Sequence, residues 1–174
     1  MSQKIIALSG KQFSGKDTVA KILLEKLTGF RRVGIGDAIK IEYGRRNGLT
    51  FDEIESNKAH YRPGLIALGD EGRAISPYYW LEKIIELDFD VIVPDLRLPN
   101  ELKILRNAGA LTIRVEASRE ARSQRGTLVK EDDQTETALD NVSDWDFVIH
   151  NDSTYEDLKE RAYDLAQRLE SSLH

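Results

Sequence analysis

Short apolar runs alternate along the chain with segments of helical period, and turn-forming residues stand between them. Lys4 to Ser9 reads as a buried strand, followed by a Gly-rich turn at 10–15. Beyond it Val19, Ile22, Leu23 and Leu27 fall on one face of a helix beginning near Thr18, and Gly29 ends that helix. Arg31 to Ile35 suggests a second, weaker strand. Asp37 is placed to cap a helix that runs to Asn47 and stops at Gly48. Thr50 and Glu53 have capping-box spacing, Pro63 is expected to open another helix through Ala74, and Pro77 to occupy the first turn of a segment ending near Leu87.

The second half repeats the alternation. Val91-Ile92-Val93 is a strand ending at Pro94-Asp95, and Pro99 starts a helix through Asn107 that Gly109 closes. Leu111 to Val115 and Phe147-Val148-Ile149 are the remaining strands. A capping box at Ser153 and Glu156 opens a last helix with Leu158, Ala162, Leu165 and Leu169 on its apolar face. Between the two strands, 118–140 is polar, Arg-rich at first and acidic from 130, and is expected to be a mobile excursion apart from the core. Strands joined by helical crossovers pair in parallel, so the pattern predicts a three-layer α/β domain over 1–174 with a five-stranded parallel sheet, its ligands at the carboxyl ends of the strands.

Composition narrows the chemistry. The 174 residues hold no cysteine, which excludes disulfides, thiolate metal sites and cysteine nucleophiles. The net charge of −5 argues against a broad nucleic-acid surface. The apolar runs are far shorter than the roughly 18–20 residues of a membrane span, and a cytoplasmic location is expected. His60, His150 and His174 are scattered, without the spacing of a zinc site. Gly34-Ile-Gly36 lacks the third glycine of a dinucleotide fingerprint.

The strongest signal is Gly10-Lys11-Gln12-Phe13-Ser14-Gly15-Lys16-Asp17-Thr18, set between a strand and a helix. The glycines allow a tight turn that aims backbone N–H groups and a helix N-terminus at phosphate, and Lys16 adds a cation near the β- and γ-phosphates. Asp17 stands where Ser or Thr normally ligates Mg²⁺, so either Asp17 or Thr18 is expected at the metal. Asp95 ends an apolar strand, as the second acidic group of such sites does, and Arg97 lies two residues on. Arg119, Arg122 and Arg125 recur every three residues and read as one face of an arginine-bearing lid. Asp37, Lys40, Lys58, Arg62 and Arg73 mark out an acceptor region over 37–75, and Arg97 is expected to reach the acceptor as well.

Together with Ala67-Leu-Gly-Asp-Glu-Gly-Arg73, Asp95-Leu-Arg97-Leu-Pro-Asn-Glu101, Arg125-Gly126, Thr135-Glu136 and Val148-Ile-His-Asn151-Asp152, the loop resembles that of small P-loop kinases over nearly the whole chain. The resemblance is to phage-type deoxynucleoside monophosphate kinases and to animal-type phosphomevalonate kinases. It implies a nucleoside monophosphate kinase-like P-loop fold and ATP on the loop at 10–18, with Asn151 and Asp152 near adenine. An acceptor would lie across 37–73 and a lid at 119–126. Animal phosphomevalonate kinases carry further basic residues where this chain has Gln12, Phe13 and Leu98, and phage enzymes often have His-x-Ser-Glu where it has Gln134-Thr-Glu136.

The resulting expectation is an Mg²⁺- and ATP-dependent kinase. It would phosphorylate the phosphate of a small monophosphate, foremost a (deoxy)nucleoside monophosphate and alternatively phosphomevalonate, using Lys16, Asp95, Arg97, Arg122 and Arg125. A nucleotide-binding switch is the more distant alternative, and the chain has no guanine-reading Asn-Lys-x-Asp run. A homodimer is left open.

Overall fold

A computed structural model describes residues 2–173, so His174 lies outside the described residues. The apolar run Ile5–Ser9 forms β1, every residue of it buried. Beside it lie β3 (Val91–Val93) and β4 (Leu111–Glu116), with β2 (Arg31–Arg32) and β5 (Phe147–His150) at the edges, all parallel in the order β2-β3-β1-β4-β5. The five-stranded parallel sheet flanked by helices is thus as the pattern predicts. Ile6 pairs with Ile92 and Leu111, and Ser9 with Arg114, so β4 runs two residues beyond the carboxyl end of β1.

Two compact units divide the chain: the residues before Val33 together with those after Leu87, and the insertion Val33–Leu87. In the first, α1 (Lys16–Lys26) packs on α9 (Tyr155–Leu173), and both cover one face of the sheet. Val19, Ile22 and Leu23 interleave there with Leu158, Ala162, Leu165 and Leu169 over Leu8, Ile113 and Val115. The apolar stripes at spacings of three and four are what helices need to bury one face. The alternate strand positions Ile5, Ala7, Val91 and Val93 are buried as well, which accounts for continuous rather than alternating apolar runs. α6 (Pro99–Asn107) begins with proline at its first turn.

Several boundaries differ from expectation. β2 is cut short because Gly34 N–H donates to the Asp37 carboxylate (2.7 Å), turning the chain at once; Asp37 therefore ties the preceding turn and does not cap the helix that follows it. The last helix is capped by Thr154, which accepts from Asp157 N–H at 3.2 Å, with Ser153 donating to the same carboxylate, so the cap sits one residue later than predicted. The segment 118–140 folds into α7 (Arg119–Arg125) and α8 (Gln134–Thr137), capped by Ser118 and Asp133, and reaches the interior at Arg122 and Leu139.

The insertion consists of α2 (Asp37–Asn47), α3 (Phe51–Ser56), α4 (Lys58–Ile75) and α5 (Tyr79–Ile85). Thr50 and Glu53 make the expected capping box on α3. Pro63 does not open a helix but lies inside α4, at the cost of one backbone hydrogen bond. The Tyr43 ring packs on Gly64, where a Cβ would lie within 3 Å of it. Pro77 falls in the turn before α5, not in its first turn.

On α2, hydrogen bonds from Arg45 and then Arg46 pull the Glu42 carboxyl down to about 2. The folded state favours the ionised form, so this contribution is complete above the ordinary value of 4.5 and is lost as pH falls from there toward about 2. The melting-temperature difference between the protein and Glu42→Gln is therefore expected at about pH 6 and should shrink steadily below 4.5. A difference that does not change with pH would show that the ion pairs are not its source.

Candidate active site

The turn after β1 wraps a cavity of about 520 Å³, lined by Gly10 to Thr18 with Arg97, Arg125, Thr127, Val129 and Glu136. That volume is in the range of small-molecule sites. The local sequence dictates the wrap. A Cβ on Gly10 would stand 2.9 Å from the Val115 carbonyl oxygen, and Gly15, at φ +98°, would drive one into the Asn151 amide. Asn151 is buried after β5 and donates from Nδ2 to the Ser14 carbonyl (2.8 Å), fixing the loop from below. The Ser14 hydroxyl is buried and has no hydrogen-bond partner among the described residues, which leaves it suited to an incoming oxygen ligand. Lys16 begins α1 with its side chain only 14% exposed and its ammonium 3.5 Å from the Asp17 carboxylate.

The predicted residues divide into those that face the cavity and those that hold its walls. Arg97 lines it and forms no ion pair within 4 Å among the described residues. Its turn is held by Glu101, which accepts the N–H groups of Arg97 and Leu98, both at 2.9 Å; burial pushes that carboxyl upward against these two bonds. Asp95 lies two residues beyond the buried strand β3 and is not among the residues that line the cavity. The three arginines of α7 do not share one environment. Arg119 is exposed and pairs with Glu131 (2.9 Å), and Arg122 is buried with Nε on the Ala117 carbonyl (3.3 Å). Arg125 donates to the carbonyls of Phe13 (3.0 Å) and Asn151 (2.6 Å) while lining the cavity. Asp152 accepts from Ser118 N–H at 2.6 Å, and that bond first of all lowers its pKa.

Sequence reasoning missed Arg114. This residue of β4 is 4% exposed, and it donates to Ser9 Oγ (2.8 Å) and Glu116 (3.0 Å) directly before the loop. Its signal was the polar alternation Thr112, Arg114, Glu116 within an otherwise apolar strand, since a charge facing inward at a strand's carboxyl end marks a site.

The insertion has its own cavity, of about 550 Å³, lined by Gly36, Ile39, Lys40, Lys58, Ala59, Arg62, Leu65, Ile66 and Arg73. It brings four of the six predicted acceptor residues together, while Arg97 lines the phosphate-loop cavity instead. Asp37, the sixth, pairs with Lys40 at 3.1 Å. Burial acts to lower the Lys40 pKa, but hydrogen bonds to Glu55 and Asp37 outweigh it, and the ammonium lies above its ordinary value. Arg73 pairs with Asp70 (2.8 Å), whereas Lys58 and Arg62 form no ion pair among the described residues.

A parallel sheet whose first strand opens into this loop, with a lysine at the helix start, defines a small P-loop kinase. The chain belongs to the phosphomevalonate kinase family: the family model matches residues 8–110, more than half of its length. It is 31% identical to the phosphomevalonate kinase of Drosophila melanogaster over 93% of this chain and 94% of that protein. Among solved structures, shikimate kinase from Acinetobacter baumannii in complex with shikimate superposes with a TM-score of 0.55 at 16% identity, over 98% of this chain and 94% of that one. APS kinase from Mycobacterium tuberculosis in complex with AMPPNP and APS gives 0.51 at 14%, over 97% and 98%. These two share the fold. The chain is thus an enzyme, a phosphotransferase acting on a small molecule. No helix among the described residues is long and apolar enough to cross a membrane.

Removing the Asn151 amide leaves the Ser14 carbonyl buried and unpaired, so Asn151→Ala should lose about 1–3 kcal/mol of stability in urea denaturation. An unchanged denaturation midpoint would show that the loop is held without this bond.

Proposed function

We propose that the protein transfers the γ-phosphoryl group of ATP, with Mg²⁺, to the phosphate of an aliphatic phosphorylated acid, with phosphomevalonate as the acceptor. The observation that carries this reading is the cavity of the insertion. Lys40, Lys58, Arg62 and Arg73 supply cations for both a phosphate and a carboxylate, and Ile39, Leu65 and Ile66 supply an aliphatic wall. No aromatic ring is among the residues lining it, so the stacking surface that usually reads a nucleobase is missing there. Membership of the phosphomevalonate kinase family supports the same acceptor and sets the nucleoside monophosphate second.

The donor site fits a nucleotide triphosphate and its metal by the chemistry of its groups. The Asp17 carboxylate, the Thr18 hydroxyl and the orphaned Ser14 hydroxyl are hard oxygen donors of the kind Mg²⁺ takes alongside phosphate oxygens. When bound, the ion neutralises charge that develops between β- and γ-phosphates. Lys16 and the loop amides hold the triphosphate, and Arg97, which forms no ion pair within 4 Å among the described residues, stabilises the transferring group. Arg125, engaged with the Phe13 and Asn151 carbonyls, keeps α7 against the loop and still faces the cavity, while Arg122 fastens its own helix to the Ala117 carbonyl. Asp95 is assigned to a water of the metal's shell or to orienting the acceptor. An acceptor phosphate is already ionised near pH 7, so positioning and charge neutralisation suffice without a strong base.

Incubation with ATP and Mg²⁺ and a panel of acceptors tests the assignment by ADP release. Release with phosphomevalonate is expected; release with deoxynucleoside monophosphates alone would overturn the acceptor, and release with none would overturn the kinase reading. Lys16→Ala should abolish turnover with an unchanged melting temperature, and Arg97→Ala should lower kcat by roughly 10²–10³-fold with little change in ATP affinity. An Arg97→Ala enzyme with full kcat would show that this guanidinium takes no part in transfer.

A further inference from the structure

The acidic run at 130–140 has no part in the reaction just described, yet it is not spread in solvent. Glu136 accepts the backbone N–H of Gln12 at 3.1 Å, and Asp140 accepts the ammonium of Lys11 at 2.9 Å. Between these contacts Gln12 and Val129 exchange two further bonds, Val129 N–H to Oε1 (3.1 Å) and Nε2 to the Val129 carbonyl (2.5 Å). The segment 129–140 is thus fastened to two successive residues of the phosphate loop, and Glu136 lines the same cavity as Lys16 and Thr18.

A loop amide and a loop lysine are donors that suit phosphate oxygens, and a carboxylate is the same class of ligand. The two acids are held differently. Asp140 has a second cation, the buried Arg114 at 3.6 Å, which anchors it to the sheet. For Glu136, the Gln12 amide is the hydrogen-bond partner seen among the described residues. Glu136 is therefore the exchangeable one. Resting on the ATP reading above, we propose that Glu136 is a built-in anion that competes with the nucleotide's phosphates for the loop, so that phosphate entry displaces the segment 129–136. A lone phosphate, which offers few contacts, would displace it poorly; a triphosphate, which offers many, would displace it well. The device selects for the triphosphate while shielding the empty loop.

Removal of the charge should strengthen nucleotide binding. In titration calorimetry with ATP and Mg²⁺, Glu136→Gln is expected to lower Kd roughly three- to ten-fold. An equal or higher Kd would overturn the proposal. Hydrogen exchange on the unmodified protein decides independently of how the variant folds: amides in 129–136 should exchange faster once ATP and Mg²⁺ are added, and slower or unchanged exchange counts against displacement. ATP binding by the unmodified protein without these effects would sink this inference alone, and absence of ATP binding would remove the nucleotide reading and this one with it.

Discussion

A loop that keeps backbone N–H groups for phosphate cannot use them to hold its own shape. The turn after β1 makes an internal bond from Ser14 N–H to the Lys11 carbonyl (3.0 Å), and the rest of its support comes from outside. Asn151 secures Ser14 from the end of β5, Arg125 takes the Phe13 carbonyl from α7, and the Gln12 side-chain amide is bound at both its oxygen and its nitrogen by Val129. Phe13 itself has positive φ, an unfavourable conformation for a residue with a side chain, and its ring packs where a Cβ on Gly126 would be. The Arg125-Gly126 pair thus has a mechanical reason: one residue binds the strained peptide and the other makes room for its ring.

Arg114 shows how the sheet reaches the same loop. A buried guanidinium is tolerable only when its donors are satisfied. Ser9, Glu116 and Asp140 surround it, and Asp140 passes the constraint on to Lys11. Because Ser9 and Arg114 are register partners, the pairing depends on β1 and β4 meeting in this alignment. A one-residue slip would turn Arg114 toward the apolar layer of α1 and α9, so this charge also favours the observed register.

The same distinction explains what the sequence made legible. Strands, the α1 and α9 stripes and the phosphate loop follow from short-range periodicity and from glycines whose neighbours leave no room for a Cβ, and both are visible in one dimension. Contacts decided by distant segments are not. The period of Arg119, Arg122 and Arg125 is real, but partners elsewhere in the chain determine that one pairs with Glu131, one is buried and one binds the loop. Pro63 is a breaker only as far as tertiary packing allows, and α4, packed on α2 and α5, runs through it. The acidic run looked like solvated chain because its partners, Gln12 and Lys11, lie more than a hundred residues away.

Charge pairing also separates the two cavities in a way that the mean of −5 conceals. Around the phosphate loop the cations are largely matched already: Lys11 by Asp140 and Lys16 by Asp17. Such a loop gains little from a bare polyanion, because internal pairs must be broken for each new one formed. Under the proposed reaction, a triphosphate that arrives with its own divalent cation asks less of it, and a carboxylate directly after Lys16 suits that arrival. In the insertion, Lys58 and Arg62 form no ion pair among the described residues and stand beside an aliphatic wall. There an acceptor with two anionic groups meets cations that have nothing to give up. Under the proposed reaction, the metal belongs to the donor and the spare positive charge to the acceptor.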